Sequence, residues 1–167
     1  KALFKLAPAL AIKYFKKTNN KLSWDWYELW QDAHQKSFTV AKAMREDILK
    51  DIRSSLDKAL SEGKTFRDFQ KELKPTLQKK GWWGEVVIVD SQGVAEKVQL
   101  GSMYRLKTIY SVNMQVAYQT GRYKTQVDNI DNRPYWQYVA VLDSKTRPEH
   151  AQLHGLIFRH DDPFWSS

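Results

Sequence analysis

Between Arg45 and Glu62 the apolar side chains Ile48, Ile52, Leu56 and Leu60 recur every four residues. That spacing lays one continuous stripe along an α-helix, whereas a strand would send alternate residues to opposite faces. A stripe of this kind must be buried against another element, so a packed helical layer is the first constraint on the fold. Gly63 follows as the C-terminal stop, because a helix commonly ends on a left-handed residue and glycine takes that conformation without a steric penalty. Thr65 is placed to cap a further helix with Phe66, Phe69, Leu73 and Leu77 turned inward. Pro75 should kink that helix or end its regular part, since proline has no amide hydrogen to donate, and Gly81 closes it.

Weaker signals flank this pair. Pro8 suits the first turn of a helix running to about Lys17, which Thr18-Asn19-Asn20 breaks. Ser23 is a good N-cap for a helix that carries Trp24, Trp26, Tyr27 and Trp30, then Ala33, Ser37 and Val40. Beyond Gly81, Glu85 to Asp90 and Val94 to Leu100 flank the turn-like Ser91-Gln92-Gly93 and fit either a hairpin or a loop of extended segments. Ser102 to about Lys124 returns to helix, with Leu106, Ile109, Tyr110, Asn113 and Ala117 on one face. Tyr135 to Leu142 alternates and is rich in β-formers, so it reads as a strand. Asp143 to Pro148 is a turn into a short helix, Glu149 to Leu153, stopped by Gly155, and Leu156-Ile157-Phe158 is a second strand beside the first. The expected class is α+β, mostly α. Its expected parts are a basic helical region (1–80), a connector or hairpin (81–101), and a long helix plus a small β-containing unit (102–167), together one composite domain.

Charge is unevenly spread. Lys1 to Lys80 holds 18 basic and 10 acidic residues, while Gly81 to Ser167 holds nine of each, so the whole excess of +8 lies in the first half. Such a region invites a polyanion through counterion release, although interspersed acids fit solvated helix faces equally well. The pairs Lys16-Lys17 and Lys79-Lys80 are candidate DNA contacts, yet at helix ends they also oppose the helix dipole. Trp24, Trp26 and Trp30 are either core or candidate partner contacts, with stacking of single-stranded bases a further reading. There is no cysteine, which excludes disulfides and thiolate metal sites. The opening apolar run is interrupted by Lys5 and Pro8 and reads as a short amphipathic helix rather than a signal peptide. No stretch approaches the ~20 apolar residues a membrane span needs, and no membrane partner is expected.

Catalytic-type side chains gather near the C-terminus: Asp143, Glu149, His150, His154, His160, Asp161 and Asp162. His150 and His154 would share a helix face, and with Asp143 or Asp161 they would suit a metal-dependent nuclease. The zinc-protease general base is missing, because Ala151 follows His150. The competing reading satisfies turns and caps: Asp143 accepting backbone N–H groups of its own turn, Arg147 pairing with a carboxylate. Nucleophile elbows, phosphate loops and dinucleotide fingerprints are absent from the sequence, so no cofactor and no enzyme activity is expected.

Several stretches occur in a telling order. They include Ala9 to Phe15, Trp24-Asp25-Trp26 through Phe38-Thr39-Val40-Ala41, Glu62 to Phe69, Gly81-Trp82-Trp83-Gly84 and Arg105 to Ile109. They continue with Arg133-Pro134-Tyr135-Trp136, Asp143 to His150, and Asp161-Asp162-Pro163-Phe164-Trp165. Together they resemble the phage Mu F-like head-morphogenesis family, also called minor head or minor capsid proteins. The resemblance implies a few-copy structural protein made in the bacterial host cytoplasm and carried inside the virion head near the portal. Its partners would be the portal protein, other head proteins and, for some members, packaged double-stranded DNA. A Pro-rich, Cys-containing segment is expected after Ser167, so the chain reads as truncated. Asp143, Thr146, Arg147 and His150 are expected to lock a turn, with Asp162, Phe164 and Trp165 folding back over the small sheet.

Overall fold

The computed structural model describes residues 9–20, 37–38, 40, 42–43, 45–89 and 93–166. In chain order the elements are α1 (Ala9–Lys17), β1 (Asn19–Asn20), β2 (Ser37–Phe38), α2 (Glu46–Glu62) and α3 (Phe66–Lys79). Next come β3 (Glu85–Val89), β4 (Ala95–Gln99), α4 (Met103–Val127), β5 (Tyr135–Gln137), α5 (Pro148–Leu153), β6 (Ile157–Arg159) and a 3₁₀ turn at Pro163–Ser166. The class is α+β, mostly α, with strands only in two-stranded pairs among the described residues. Two compact units form, Lys1–Arg122 and Tyr123–Ser167. No helix among the described residues is long and apolar enough to cross a membrane.

The core lies in the first unit and is built on the striped helix. Ile48, Ile52, Leu56 and Leu60 are buried as the period requires, and Leu49 and Ala59 widen the stripe. Each fully buried Leu or Ile contributes about 1.5–3 kcal/mol. Gly63, at φ 66°, ends α2 and donates its N–H to the Ala59 carbonyl. Two residues later Thr65 caps α3 reciprocally: its Oγ1 accepts from the Asp68 N–H at 3.3 Å, and its own N–H donates to Asp68 Oδ2 at 3.2 Å. Pro75 does not end α3, which continues to Lys79. Phe69, Leu73 and Leu77 are all buried, so packing secures the helix on both sides of the proline and outweighs the lost amide.

The cap has a pH signature. Hydrogen bonds from the Thr65 hydroxyl, then from its backbone N–H, hold the Asp68 carboxyl below its ordinary 3.8. A depressed carboxylate stabilises the fold above its unfolded pKa, and that contribution disappears as pH falls through the folded value. Thr65→Ala is expected to cost about 1 kcal/mol at pH 7, and the gap between variant and parent should narrow in melting curves below about pH 4. A constant gap down to pH 2.5 would count against the coupling.

Helix α1 buries Ala11 and Phe15. Arg53 of α2 fastens its end, donating to the Phe15 carbonyl at 3.1 Å, the Lys16 carbonyl at 3.3 Å and Asn20 Oδ1 at 2.7 Å. These bonds satisfy carbonyls that a helix C-terminus leaves orphaned, and burial lowers the Arg53 pKa. The expected helix from Ser23 does not reach Ser37 or Val40. Ser37–Phe38 is extended and pairs in parallel with β1, Asn19 opposite Ser37 and Asn20 opposite Phe38. Phe38 and Val40 are buried, Phe38 edge-on to Phe15 at 5.7 Å. The remainder of that expectation, with Trp24, Trp26 and Trp30, lies outside the described residues.

The segment left open between hairpin and loop is an antiparallel hairpin, Glu85 opposite Gln99 through Val89 opposite Ala95. Trp82, buried before it, donates its indole N–H to the Lys42 carbonyl at 2.8 Å, and Arg105 lies over its ring at 5.1 Å. Helix α4 buries Leu106, Ala117 and Gly121. Tyr110 packs on Phe69 at 5.3 Å and donates its hydroxyl to the Lys64 carbonyl at 2.6 Å, tying α4 to the turn between α2 and α3.

Candidate functional site

The second unit is organised around β5 and β6, antiparallel with Tyr135 opposite Arg159, Trp136 opposite Phe158 and Gln137 opposite Ile157. Backbone bonds from His160 N–H to the Pro134 carbonyl at 2.8 Å and from Tyr138 N–H to the Leu156 carbonyl at 2.9 Å extend the ladder. The strand expected to reach Leu142 stops at Gln137. Past it the Ala140 N–H donates to His154 Nδ1 at 3.1 Å, and Leu142 has φ 58°. An imidazole has taken the amide that a longer ladder would use, and Val139, Val141 and Leu142 remain exposed.

Asp143 begins a self-bonded turn. Its Oδ1 accepts from the Lys145 N–H at 2.9 Å and the Thr146 hydroxyl at 3.1 Å, while its N–H donates to Thr146 Oγ1 at 3.1 Å. Arg147 contributes its backbone carbonyl to Ala151 N–H at 3.0 Å. The expected Arg147–carboxylate pair does not form among the described residues; Arg159 makes an ion pair instead, with Asp161 at 3.0 Å. His150 reaches away from the turn, its Nδ1 lying 2.6 Å from the Tyr138 hydroxyl with the rings nearly parallel. Asp143→Ala removes an acceptor shared by two donors and is expected to cost about 1 kcal/mol. An unchanged melting curve would show that the turn does not depend on that carboxylate.

Asp162 arranges the last aromatics. Its Oδ1 accepts from the Phe164 N–H at 2.9 Å, and the Trp165 indole donates to the Arg159 carbonyl at 2.9 Å. Phe164 stacks on Phe158 at 4.1 Å and stands edge-on to Tyr138 at 5.9 Å, while Trp165 is edge-on to Trp136 at 5.7 Å. None of the described residues of this unit is fully buried, so its rings form a cluster with one side in solvent. Beside them lies a cleft of about 520 Å³ lined by Tyr123, Gln126, Trp136, His160, Asp161, Asp162 and Trp165. The Trp136 indole N–H is buried without an acceptor.

His150 and His154 turn Nδ1 to the Tyr138 hydroxyl and the Ala140 N–H, and no three potential ligands converge among the described residues. The basic residues divide as well. Lys80 is committed to α2, 3.2 Å from Asp47 and 2.5 Å from Asp51. Lys16, Lys17 and Lys79 are exposed, Lys16 with Asp57 at 4.0 Å. Lys50 and Lys64 also face carboxylates, at Glu46 and Glu72. Sequence reasoning overlooked Tyr123 and Tyr138; the signal for Tyr138 was its place in the alternating run from Tyr135 to Leu142.

The model of the family described as Phage Mu protein F like protein matches residues 50–167. A protein of Escherichia phage Mu named "Putative capsid assembly protein F" is 50% identical over 98% of this chain and 37% of its own length. The "Mu-like prophage FluMu F protein" of Haemophilus influenzae is 45% identical over 87% of this chain and 34% of its own length. The chain thus spans little more than a third of these curated relatives. No solved structure matches it.

Proposed function

We propose that this chain, which belongs to the phage Mu protein F like family, is part of a structural protein that assembles the phage head and performs no catalysis. The observation carrying this reading is the 50% identity, along almost the whole chain, to a protein named for capsid assembly. The local chemistry agrees: Asp143, Asp162 and His154 accept backbone N–H groups and His150 meets the Tyr138 hydroxyl, which is how an architectural unit uses such side chains. Docking is onto other head components, with the portal protein as principal partner, and the protein resides in the virion near it. Asp143, Thr146 and His150 serve as fasteners of the docking unit. Purification of the chain with portal protein, followed by direct imaging of the ring, tests this: bound density against the ring supports it, and a bare ring at micromolar concentrations of both sinks it.

A second reading, contact with packaged duplex DNA, is favoured by the basic excess of the first half and by exposed Lys16, Lys17 and Lys79. Affinity for duplex DNA should then fall steeply with salt, and charge-neutral substitution of these lysines should flatten the slope. Affinity independent of salt would remove DNA from the list of partners.

A further inference from the structure

We propose that the cleft of the second unit receives an arginine side chain from an extended segment of a partner protein. Its lining brings Tyr123, Trp136 and Trp165 together with Asp161 and Asp162. Rings beside carboxylates recognise a planar cation: the guanidinium lies on an aromatic face and directs its N–H groups at the acid. Both acids have internal duties, Asp161 with Arg159 at 3.0 Å and Asp162 Oδ1 with the Phe164 N–H at 2.9 Å. Each carboxylate still has lone pairs for a second donor. A nucleic-acid strand would stack on the same rings, but the two carboxylates repel its phosphates, so the charge pattern selects a cationic side chain. The Trp136 indole N–H, buried without an acceptor, gives the site a spectroscopic reporter.

The inference deepens the docking role and rests on it only in assigning the segment to a head protein. A peptide experiment reads the cleft alone, so its failure is distinct from a bare portal ring. The probe is acetyl-Gly-Arg-Gly-amide titrated into the full chain while the indole N–H signals of Trp136 and Trp165 are followed by NMR; peptides with citrulline or glutamate in place of arginine are the controls. Saturable shifts of both signals are expected, with Kd of about 1–10 mM for so small a ligand, and the citrulline peptide should bind at least about tenfold more weakly. Asp162→Asn keeps an oxygen for the Phe164 N–H and should weaken the arginine peptide about fivefold or more. Asp161→Asn, at an exposed pair, provides a second variant should the first perturb folding. Equal binding of the citrulline peptide, or no shift by about 50 mM, overturns the proposal. Tighter binding of a thymidine oligonucleotide to the same indoles overturns it in favour of base stacking, and self-association abolished by Asp162→Asn overturns it in favour of a second copy.

Discussion

Phe69→Ala is expected to lower the unfolding free energy of the first unit by about 3–5 kcal/mol, a large part of what a domain of this size possesses. Phe69 is 1% exposed and packs on the Tyr110 ring at 5.3 Å. Its loss leaves a void between α3 and α4 that the surroundings cannot readily close, since Tyr110 is held at its far end by the bond to the Lys64 carbonyl. Phe69→Leu retains most of the volume and should cost less than half as much. In denaturant the midpoint should move while the slope stays the same, because the surface exposed on unfolding is unchanged. A shift worth less than about 1 kcal/mol would show that the site collapses and that the core is less tightly determined than its burial implies.

Phe164→Ala should have its large effect elsewhere. The second unit contains no fully buried side chain among its described residues, so its stability is drawn from ring contacts, several of which Phe164 makes: Phe158 at 4.1 Å, Trp165 at 5.1 Å and Tyr138 at 5.9 Å. Loss of the ring should remove about 2–4 kcal/mol, more than a unit this small holds in reserve. Hydrogen exchange at Tyr138 and His160, whose amides bond to the Leu156 and Pro134 carbonyls, should then lose its protection, while Leu56 and Leu60 on α2 remain protected. Retained protection at Tyr138 would mean that the β5–β6 pair stands without the rings.

What the sequence reveals about this fold follows interaction range. The period of four at Ile48 to Leu60, the glycine stop at Gly63 and the cap at Thr65 act within a turn or two of helix, and the structure realises all three. Ser37 and Val40 misled because a pair of residues three apart also fits a helix, and nothing local reports that Asn19 and Asn20 lie alongside. The strand from Tyr135 ended early for a comparable reason: its competitor, the His154 ring, lies 14 residues downstream of the amide it captures at Ala140. Arg53 was unreadable as the clamp on α1, since its acceptors at Phe15 and Lys16 are distant in sequence. At the candidate site the turn at Asp143 was legible because an Asx-type turn bonds to itself. The cleft was not, because its walls come from α4, β5 and the last turn.

The short link between α2 and α3 bears on kinetics. Only Gly63, Lys64 and Thr65 separate two helices that bury their faces together, so the closure entropy is small and the pair is the least costly place for folding to nucleate. Gly63→Ala, strained at φ 66°, is therefore expected to slow refolding by several-fold with little change in the unfolding rate. The reverse split between the two limbs of a chevron plot would place the nucleus in another part of the chain.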